Sequence, residues 1–382
     1  MHISEENWHI GISRNYCYLR SWKISYKKIQ PLSSKVLKIY MLKYVVMYNL
    51  EESRIIEEIK SRKAKKILIQ LPEGLKKEAS RLSNLIHEKT NATVIVSGEP
   101  SWGACDLPLD EANKLNVDLI IHFGHAPFHH PNIPIIYIET HYEKDISSLI
   151  KKYLVSFSEY NTIGLVASVQ HIHQIISIKK ILEANNKKVI IPEAKGRAFH
   201  QGQILGCEYA GPKSIESQVD AYLAIANGFH ALGLLLSTEK PVILINPSTE
   251  EIKDLTSMRA VYIKKRFALI EQAGQAQSFG ILISTKSGQI NTQLAEQLKD
   301  KIIQHKKEAT IISMGEINPN ELINFPQIDI FITTACPRLS IEDEPRFLKP
   351  IITIKELLVA LGELSWEENL KTGFITAPYG AP

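Results

Sequence analysis

The stretch Ile67-Leu-Ile-Gln-Leu-Pro-Glu-Gly74 joins an apolar run of strand length to a proline that suits the first turn of a helix. The same alternation of apolar, β-branched runs with helical patterns continues along the chain. It is typical of parallel βαβ units. Because the runs are continuously apolar, we expect sheets that are covered by helices on both faces. The chain is therefore predicted to have an α/β fold.

The predicted strands form three sets of four. They are Ile67–Leu71, Thr93–Val96, Leu119–His122 and Ile135–Ile138; Ile163–Ala167, Lys188–Ile191, Leu232–Leu236 and Val242–Ile245; and Phe279–Ser284, Thr310–Ser313, Ile330–Thr333 and Ile351–Ile354. Three similar units in tandem indicate a pseudo-threefold triplication. We predict three homologous αβ domains, each a four-stranded parallel sheet flanked by helices, at residues 49–150, 151–260 and 261–382.

The first 46 residues differ from the rest, because they are rich in Lys, Tyr and Ser and lack a regular pattern. Regular patterning starts near Asn49, and Met47 lies just before it. Residues 1–48 are therefore interpreted as a leader outside the fold. It is either an accessory, disordered extension or the result of a start codon assigned too far upstream, with Met47 as the true start. We favour the second interpretation.

The composition is that of a globular protein, with 44% hydrophobic and 23% charged residues among 382. A formal net charge of +4 at pH 7, without a long basic run, does not indicate a nucleic-acid partner. No apolar run reaches the roughly 18 residues that a membrane-spanning helix needs. The apolar segment 37–50 is interrupted by Lys38 and Lys43 and lacks a signal-peptide cleavage site. We therefore expect neither a nucleic-acid nor a membrane partner.

Four cysteines, Cys17, Cys105, Cys207 and Cys336, are spread over the chain. Sparse, widely separated cysteines do not have the spacing of a disulfide framework. They suit a reducing compartment, where each thiol is either buried and inert or bound to a metal. A cytoplasmic protein is therefore expected.

Three of these cysteines follow predicted strands, one in each set. Their surroundings are Gly103-Ala-Cys-Asp106, Gly202-Gln-Ile-Leu-Gly-Cys207 and Thr333-Thr-Ala-Cys-Pro-Arg338. Ligands of open parallel sheets bind outside the carboxyl ends of strands, and small neighbours let the backbone approach a bulky inorganic cluster. Three thiolates on a four-iron cluster would leave one iron open to a substrate. The alternative of three separate buried thiols stays open, because the chain has no Cys-x-x-Cys pair.

Several segments, in the same order, resemble one protein family. They are Gly98-Glu-Pro-Ser-Trp-Gly-Ala-Cys-Asp106, Ile121-His-Phe-Gly-His125, Gly202-Gln-Ile-Leu-Gly-Cys207, Gly228-Phe-His-Ala-Leu-Gly233, Phe279-Gly-Ile-Leu-Ile-Ser-Thr-Lys-Ser-Gly-Gln289 and Thr334-Ala-Cys-Pro-Arg-Leu-Ser-Ile-Glu-Asp343. From about Asn49 to about Glu368, the chain resembles the archaeal diphthamide synthase subunit, a 2-(3-amino-3-carboxypropyl)histidine synthase.

The resemblance implies three αβ domains with one cluster cysteine each, which by motif position are Cys105, Cys207 and Cys336. It implies a homodimeric transferase with a [4Fe–4S] cluster, S-adenosylmethionine as co-substrate and an electron donor. Such an enzyme forms a 3-amino-3-carboxypropyl radical and adds this group to an imidazole carbon of a histidine in elongation factor 2. Methylthioadenosine is the second product, and this transfer is the first step of diphthamide biosynthesis. The chain departs from the family at Ala126, where many relatives have serine, and at Cys17, which has no counterpart.

Four residues are candidates for the S-adenosylmethionine pocket. Arg338 and Asp343 either bind the carboxylate and amine of the methionine part by charge-assisted hydrogen bonds or form a salt bridge within their loop. Gln289 follows a glycine after the first strand of the third set. His125, like His122, flanks a strand end and is either a substrate contact or a hydrogen-bonded wall residue.

Two other functions remain as alternatives. Quinolinate synthase is another triplicated αβ enzyme with one cluster cysteine per domain, but the Thr-Ala-Cys-Pro-Arg and Gly-Gln-Ile-Leu-Gly-Cys motifs disfavour it. A non-catalytic partner subunit of a diphthamide synthase complex would have no need to keep all three cysteines.

Overall fold

The computed structural model describes residues 48–128 and 131–375. The predicted leader lies outside these residues apart from Tyr48, and so does Cys17. Tyr48 forms an isolated antiparallel bridge with Tyr142. No helix in the described part of the chain is both long enough and apolar enough to cross a membrane.

The strands form three sheets, and each sheet lies within one of the predicted domain ranges. The strands are β1 (Lys66–Gln70), β2 (Thr93–Val96), β3 (Leu119–Phe123), β4 (Ile135–Ile138), β5 (Thr162–Ala167), β6 (Lys188–Ile190), β7 (Ala221–Ile225), β8 (Val242–Asn246), β9 (Glu251–Asp254), β10 (Ser278–Ser284), β11 (Glu308–Met314), β12 (Ile330–Thr333) and β13 (Ile351–Ile352). The sheet orders are β2-β1-β3-β4, β6-β5-β7-β8-β9 and β11-β10-β12-β13. All paired strands are parallel except β8 with β9. The predicted α/β class with parallel sheets is confirmed, and the strand order repeats from sheet to sheet.

Helices occupy most of the connections, as parallel strand pairs require. The α-helices are α1 (Glu52–Arg62), α2 (Ala79–Thr90), α3 (Leu109–Leu115), α4 (Ser147–Lys152), α5 (Ile175–Glu183), α6 (Ala210–Lys213), α7 (Gly228–Ser237), α8 (Met258–Gln275), α9 (Thr292–Gln304), α10 (Pro319–Leu322), α11 (Arg338–Ile341), α12 (Ile354–Ala360) and α13 (Trp366–Thr372). Short 3-10 helices lie at Glu73–Glu78, Leu154–Phe157, Val169–Gln174, Glu216–Gln218 and Glu344–Arg346. The strands β3 and β7 are buried at every residue, because helices cover both faces of their sheets.

One predicted strand is a helix. The prediction of a strand at Leu232–Leu236 is wrong, because these residues belong to α7. The third strand of the second sheet is β7 instead. The helix α7 begins after Asn227, whose side chain accepts a hydrogen bond from the backbone N–H of His230, and its residues Ala231–Ser237 are all buried. A helix that is apolar on every side has no periodic pattern to distinguish it from a buried strand.

The second sheet has five strands where four parallel ones were expected. The extra strand, β9, pairs antiparallel with β8, for example Ile252 opposite Ile245. Its other residues, Glu251, Lys253 and Asp254, are polar and exposed. A short, charged strand of this kind is typical of a sheet edge, where it discourages pairing with other chains.

The last strand is shorter than predicted, because a helix begins directly after it. Thr353 caps α12 by accepting a hydrogen bond from the backbone N–H of Glu356, and the Glu356 carboxylate accepts from the backbone N–H of Thr353. This capping box ends β13 at Ile352.

The C-terminal segment leaves the third sheet and packs on the second. Trp366 and Leu370 of α13, with Phe374 and Ile375 after it, join the apolar cluster around β7 and β8. Residues of the range 261–382 therefore complete the core of another sheet, and the domain boundaries stay predictions.

Candidate functional site

Cys105, Cys207 and Cys336 lie in loops that leave the carboxyl ends of parallel strands. Cys105 lies between β2 and α3, Cys207 between β6 and α6, and Cys336 between β12 and α11. All three thiols are free and partly buried. Each of the three sheets therefore contributes one thiol from the end at which open α/β sheets bind ligands.

The structure brings these thiols into one neighbourhood. Burial raises the pKa of the Cys207 thiol well above its usual value, and the nearby Cys105 and Cys336 thiols raise it further. Burial, with a contribution from Cys105, raises the pKa of Cys336 to about 12. Burial also raises the pKa of Cys105, against a hydrogen bond from Gln289. The three groups therefore influence one another although they come from different sheets.

The thiols suit a polynuclear group better than a single ion. Within residues 48–128 and 131–375, no three His, Cys, Asp or Glu side chains are placed to hold one metal ion. Raised pKa values mean that the thiolate form needs a positive partner, which metal ions supply by deprotonating coordinated thiols. Three soft sulfur donors that come from separate loops into one neighbourhood fit an iron–sulfur cluster.

The loop after β10 wraps around Cys105. The Gly288 backbone N–H donates to the Cys105 carbonyl oxygen at 2.9 Å, and Gln289 Nε2 donates to Cys105 Sγ at 3.3 Å. A Cβ atom on Gly288 would lie 2.6 Å from the Cα of Cys105, so only glycine permits this approach. Gln289, a candidate for the co-substrate pocket, therefore contacts a thiol.

A charged network lies beside Cys105. Lys286 Nζ pairs with an Asp106 carboxylate oxygen at 2.7 Å and also with Glu316. Glu316 accepts a hydrogen bond from the indole N–H of Trp102 at 3.3 Å. The Lys286 and Asp106 side chains are only 13% and 12% exposed, so this pair ties the first and third sheets together at the site.

Arg338 forms one of the two contacts considered for it, the salt bridge within its loop. Its Nε atom lies 2.7 Å from Glu342 Oε2 and 3.6 Å from Asp343 Oδ2, so the salt bridge within the loop is present. Its guanidinium carbon also lies 5.2 Å from the ring centroid of Trp102 and 5.9 Å from that of Phe229. These cation–π contacts hold a positive charge beside Cys336.

Sequence reasoning missed Phe229 and His230 as site residues. A Cβ atom on Gly206, next to Cys207, would lie 2.3 Å from the ring of Phe229. The pKa of His230 is lowered to about 4 by burial and by Arg338. The signal was available, since both residues belong to a motif that carried the family resemblance, but the strand assigned just after them hid their place at a helix start.

His122 and His125 lie next to each other at the end of β3. His122 is fully buried, and its two ring nitrogens contact Gln70 Oε1 at 2.6 Å and His125 Nδ1 at 2.9 Å. His122 is thus a hydrogen-bonded residue of the wall. His125 is partly exposed, and its pKa is lowered to about 4 by burial and by the nearby His230.

The chain is similar to known proteins over most of its length. Residues 71–371 match the family described as "Putative diphthamide synthesis protein". The chain is 33% identical over 323 residues to the 2-(3-amino-3-carboxypropyl)histidine synthase of Pyrococcus horikoshii. The aligned region covers 83% of this chain and 92% of that relative. It is 28% identical over 332 residues to subunit 1 of the enzyme of the same name from Schizosaccharomyces pombe, covering 84% of this chain and 75% of that relative.

A solved structure has the same fold. It is the crystal structure of Dph2 from Pyrococcus horikoshii with a 4Fe-4S cluster, which matches with a TM-score of 0.79 and 31% sequence identity. The match covers 88% of this chain and 96% of that chain. On the strength of the fold, the sequence match and the shared length, the chain belongs to the diphthamide synthesis protein family.

Proposed function

We propose that this chain transfers the 3-amino-3-carboxypropyl group of S-adenosylmethionine to a histidine of elongation factor 2, the first step of diphthamide biosynthesis. One observation carries the proposal. Three partly buried thiols, one from each sheet, influence one another's pKa values in a chain whose relative of known structure contains a 4Fe-4S cluster. The curated relatives are transferases named for this product.

Cys105, Cys207 and Cys336 would hold the [4Fe–4S] cluster. When bound, such a cluster supplies the electron that cleaves a carbon–sulfur bond of S-adenosylmethionine and, with three protein ligands, keeps one iron open. The protein keeps the thiols close together, and Gln289 donates a hydrogen bond to the Cys105 sulfur. Hydrogen bonds to cluster sulfurs are among the factors that set the reduction potential.

Other residues would position the co-substrate. Arg338 holds a positive charge between two aromatic rings and suits the carboxylate of the methionine part. Asp343, its partner, suits the amine. His125 and Gln289 complete the proposed pocket, with Gln289 approaching from the thiol side. The placement of the co-substrate by these residues would decide which of its carbon–sulfur bonds the cluster cleaves.

The wider proposal includes three further elements. The repeated strand order of the three sheets supports a triplication of one αβ unit. We also propose a cytoplasmic homodimer that receives electrons from a separate donor protein. The non-catalytic partner subunit is disfavoured because all three thiols are kept together, and quinolinate synthesis is disfavoured by the family match.

The test is anaerobic reconstitution with iron and sulfide, followed by addition of S-adenosylmethionine, dithionite and elongation factor 2. We expect methylthioadenosine as the nucleoside product and a mass gain of one aminocarboxypropyl group on the elongation factor. Deoxyadenosine as the main product, with no mass gain, would contradict the proposal even if the cluster forms. A cluster-bearing chain that modifies the factor only after a second subunit is added would support the partner-subunit alternative.

A further inference from the structure

A chain of buried polar groups leads from the first sheet to the site. Gln70, the last residue of β1, and His122, in β3, are both buried. Gln70 Nε2 donates to the Asp106 carbonyl oxygen at 2.6 Å. Gln70 Oε1 lies 2.6 Å from His122 Nδ1, and His122 Nε2 lies 2.9 Å from His125 Nδ1. The proposed function gives Gln70 and His122 no role.

These contacts assign the protons of both histidines. A carbonyl oxygen only accepts hydrogen bonds, so the Gln70 amide nitrogen faces Asp106 and its oxygen faces His122. His122 Nδ1 therefore carries a proton, and the Nε2 of a neutral ring carries none. His122 Nε2 then accepts from the Nδ1–H of His125. As a result, Nε2 of His125 is unprotonated.

The loop that carries His125 is fixed in place. Gly124, just before it, has a φ of +91°, and a Cβ atom there would lie 3.0 Å from the Pro72 ring. The Gly124 carbonyl oxygen accepts a hydrogen bond of 2.6 Å from Gln170 Nε2. Gln170 lies in the short 3-10 helix that follows β5 of the second sheet. The His125 ring is therefore held by its hydrogen bond with His122 and by the fixed backbone of its own loop.

His125 is linked to the thiol loops through its neighbours, because its ring lies near His230, His230 lies near Arg338, and Arg338 lies near Cys336. The His125 ring is partly exposed, and the titratable groups that face it are His122 on β3 and His230 on α7. Arg338 lies beyond His230, and Tyr137 of β4 contacts His122 edge-on.

The proposed transfer releases one proton. S-adenosylmethionine is a sulfonium cation, whereas methylthioadenosine is neutral. One carbon–sulfur bond breaks and leaves its electron pair on sulfur, while one carbon–carbon bond forms at the imidazole carbon. The carbon–hydrogen bond at that carbon breaks, its electron pair restores the aromatic ring, and its proton leaves. The electron supplied at the start would return to the oxidised iron–sulfur cluster of the proposed function, so only a base is still required.

We propose that Nε2 of His125 is the base that accepts this proton, and that His122 and Gln70 are positioning residues that keep Nε2 unprotonated. The inference rests on the proposed transfer to a histidine. It follows the pattern in which a base is oriented and held in one tautomer by a second group.

The electrostatics agree with this assignment. The pKa of His125 is lowered to about 4, mainly by burial and then by His230. The ring is therefore neutral and able to accept a proton above about pH 4. A base of this strength also loses the proton easily, so it is ready for the next turnover, while the regained aromaticity of the substrate ring drives the transfer.

The first test uses His125→Gln in the full chain with its reconstituted cluster. Elongation factor 2 carries deuterium at the imidazole carbon of the target histidine. General bases contribute about 100-fold or more, so we expect the yield of modified protein per methylthioadenosine to fall by about that factor. A deuterium isotope effect that is absent in the unchanged protein should appear, and added imidazole should restore the yield. His305→Gln, at an exposed position just after α9, is the matched control and should change nothing.

The outcomes separate the inference from the proposed function. Equal losses of methylthioadenosine and modified protein, with no isotope effect and no rescue, would overturn the assignment of the base. Failure of the unchanged protein to modify the elongation factor would contradict the proposed function and the inference with it.

A second test needs no turnover, and its deciding measurement is made on the unchanged protein. The ring ¹⁵N shifts of the histidines in the unchanged full chain report which nitrogen carries the proton. We expect Nδ1 protonated and Nε2 unprotonated for His125 at pH 7, and a mixture of tautomers in Gln70→Leu. A protonated Nε2 in the unchanged protein would overturn the inference and leave the proposed function standing.

Discussion

Cys105 and Cys207 have similar surroundings in sequence, yet the structure holds them by different means. The Cys105 loop is bound by another sheet, through the Gly288 N–H and the Gln289 amide. The Cys207 loop is held by aromatic packing, because the Phe229 ring fills the space beside Gly206.

This difference shows that two cysteines with the same proposed role can be positioned by different interactions, hydrogen bonds for Cys105 and aromatic packing for Cys207. Directional hydrogen bonds fix the position of Cys105, and the Gln289 donor opposes the rise of its pKa that burial causes. The environment of Cys207 is shaped by burial, which raises its pKa well above that of an exposed thiol. The two loops should therefore respond differently to small changes, although loss of either thiol should have the same result.

Loss of a thiol should have the largest effect and should remove the difference between the loops. Cys105→Ser, Cys207→Ser and Cys336→Ser should each reduce bound iron and abolish turnover, because three ligands leave no spare one. Cys17→Ser should do neither. Iron content after reconstitution and the mass of elongation factor 2 are the measurements. Full iron and activity in any of the three variants would exclude that residue from the site.

Adding one methyl group to each loop should sharpen the comparison. In Gly288→Ala the new Cβ would lie 2.6 Å from the Cys105 backbone, and in Gly206→Ala it would lie 2.3 Å from the Phe229 side chain. Backbone cannot move aside as a ring can, so Gly288→Ala should cost about 2–3 kcal/mol and Gly206→Ala about 1 kcal/mol. Thermal or urea unfolding measures both. A larger loss of unfolding free energy in Gly206→Ala than in Gly288→Ala would contradict this distinction between the two loops.

Removal of the hydrogen bond to Cys105 should leave iron in place and change its chemistry. Gln289→Leu removes the donor that lies 3.3 Å from the sulfur. Because that donor stabilises the more negative reduced state, the reduction potential of the bound cluster should fall by tens of millivolts, on the order of 1–2 kcal/mol. Redox titration followed by electron paramagnetic resonance measures the shift. Phe229→Leu, beside the other loop, is the control and should move the potential less.

A pH titration should give the smallest effect and probes the Cys207 side. The pKa of His230 is lowered to about 4 by burial and by Arg338, whereas an unfolded histidine titrates near 6.5. The unfolded state therefore binds more protons between these values, and stability should fall as the pH drops from about 6.5 to about 4. His230→Phe should weaken this dependence, and His305→Phe should not. An unchanged slope of melting temperature against pH in His230→Phe would show that folding does not lower the pKa of His230.

Much of the fold could be predicted from local patterns. Eleven of the thirteen described strands overlap a predicted one, because parallel strands buried on both faces are continuously apolar. The errors arose where that pattern is ambiguous or absent. The run 232–236 is as apolar as a strand but is helical, and β9 is too polar to stand out.

The site was predictable only in part. Cysteines after strand ends indicated where the loops lie, and motif order indicated the family. The partners of these residues were not predictable, because Gln289 contacts Cys105 from another sheet and Arg338 stacks on Trp102 and Phe229 from two others. Contacts between residues so far apart in the chain leave no trace in local periodicity.

The sequence by itself determined the α/β class, the family and the three cysteines that follow strand ends, because hydrophobic periodicity and motif order are properties of neighbouring residues. Only the tertiary structure decided which side chains surround each thiol, which groups the His125 ring contacts and which core receives the C-terminal segment. Those features depend on how three sheets pack against one another, and hydrogen bonds and burial across that packing exist only once the chain has folded.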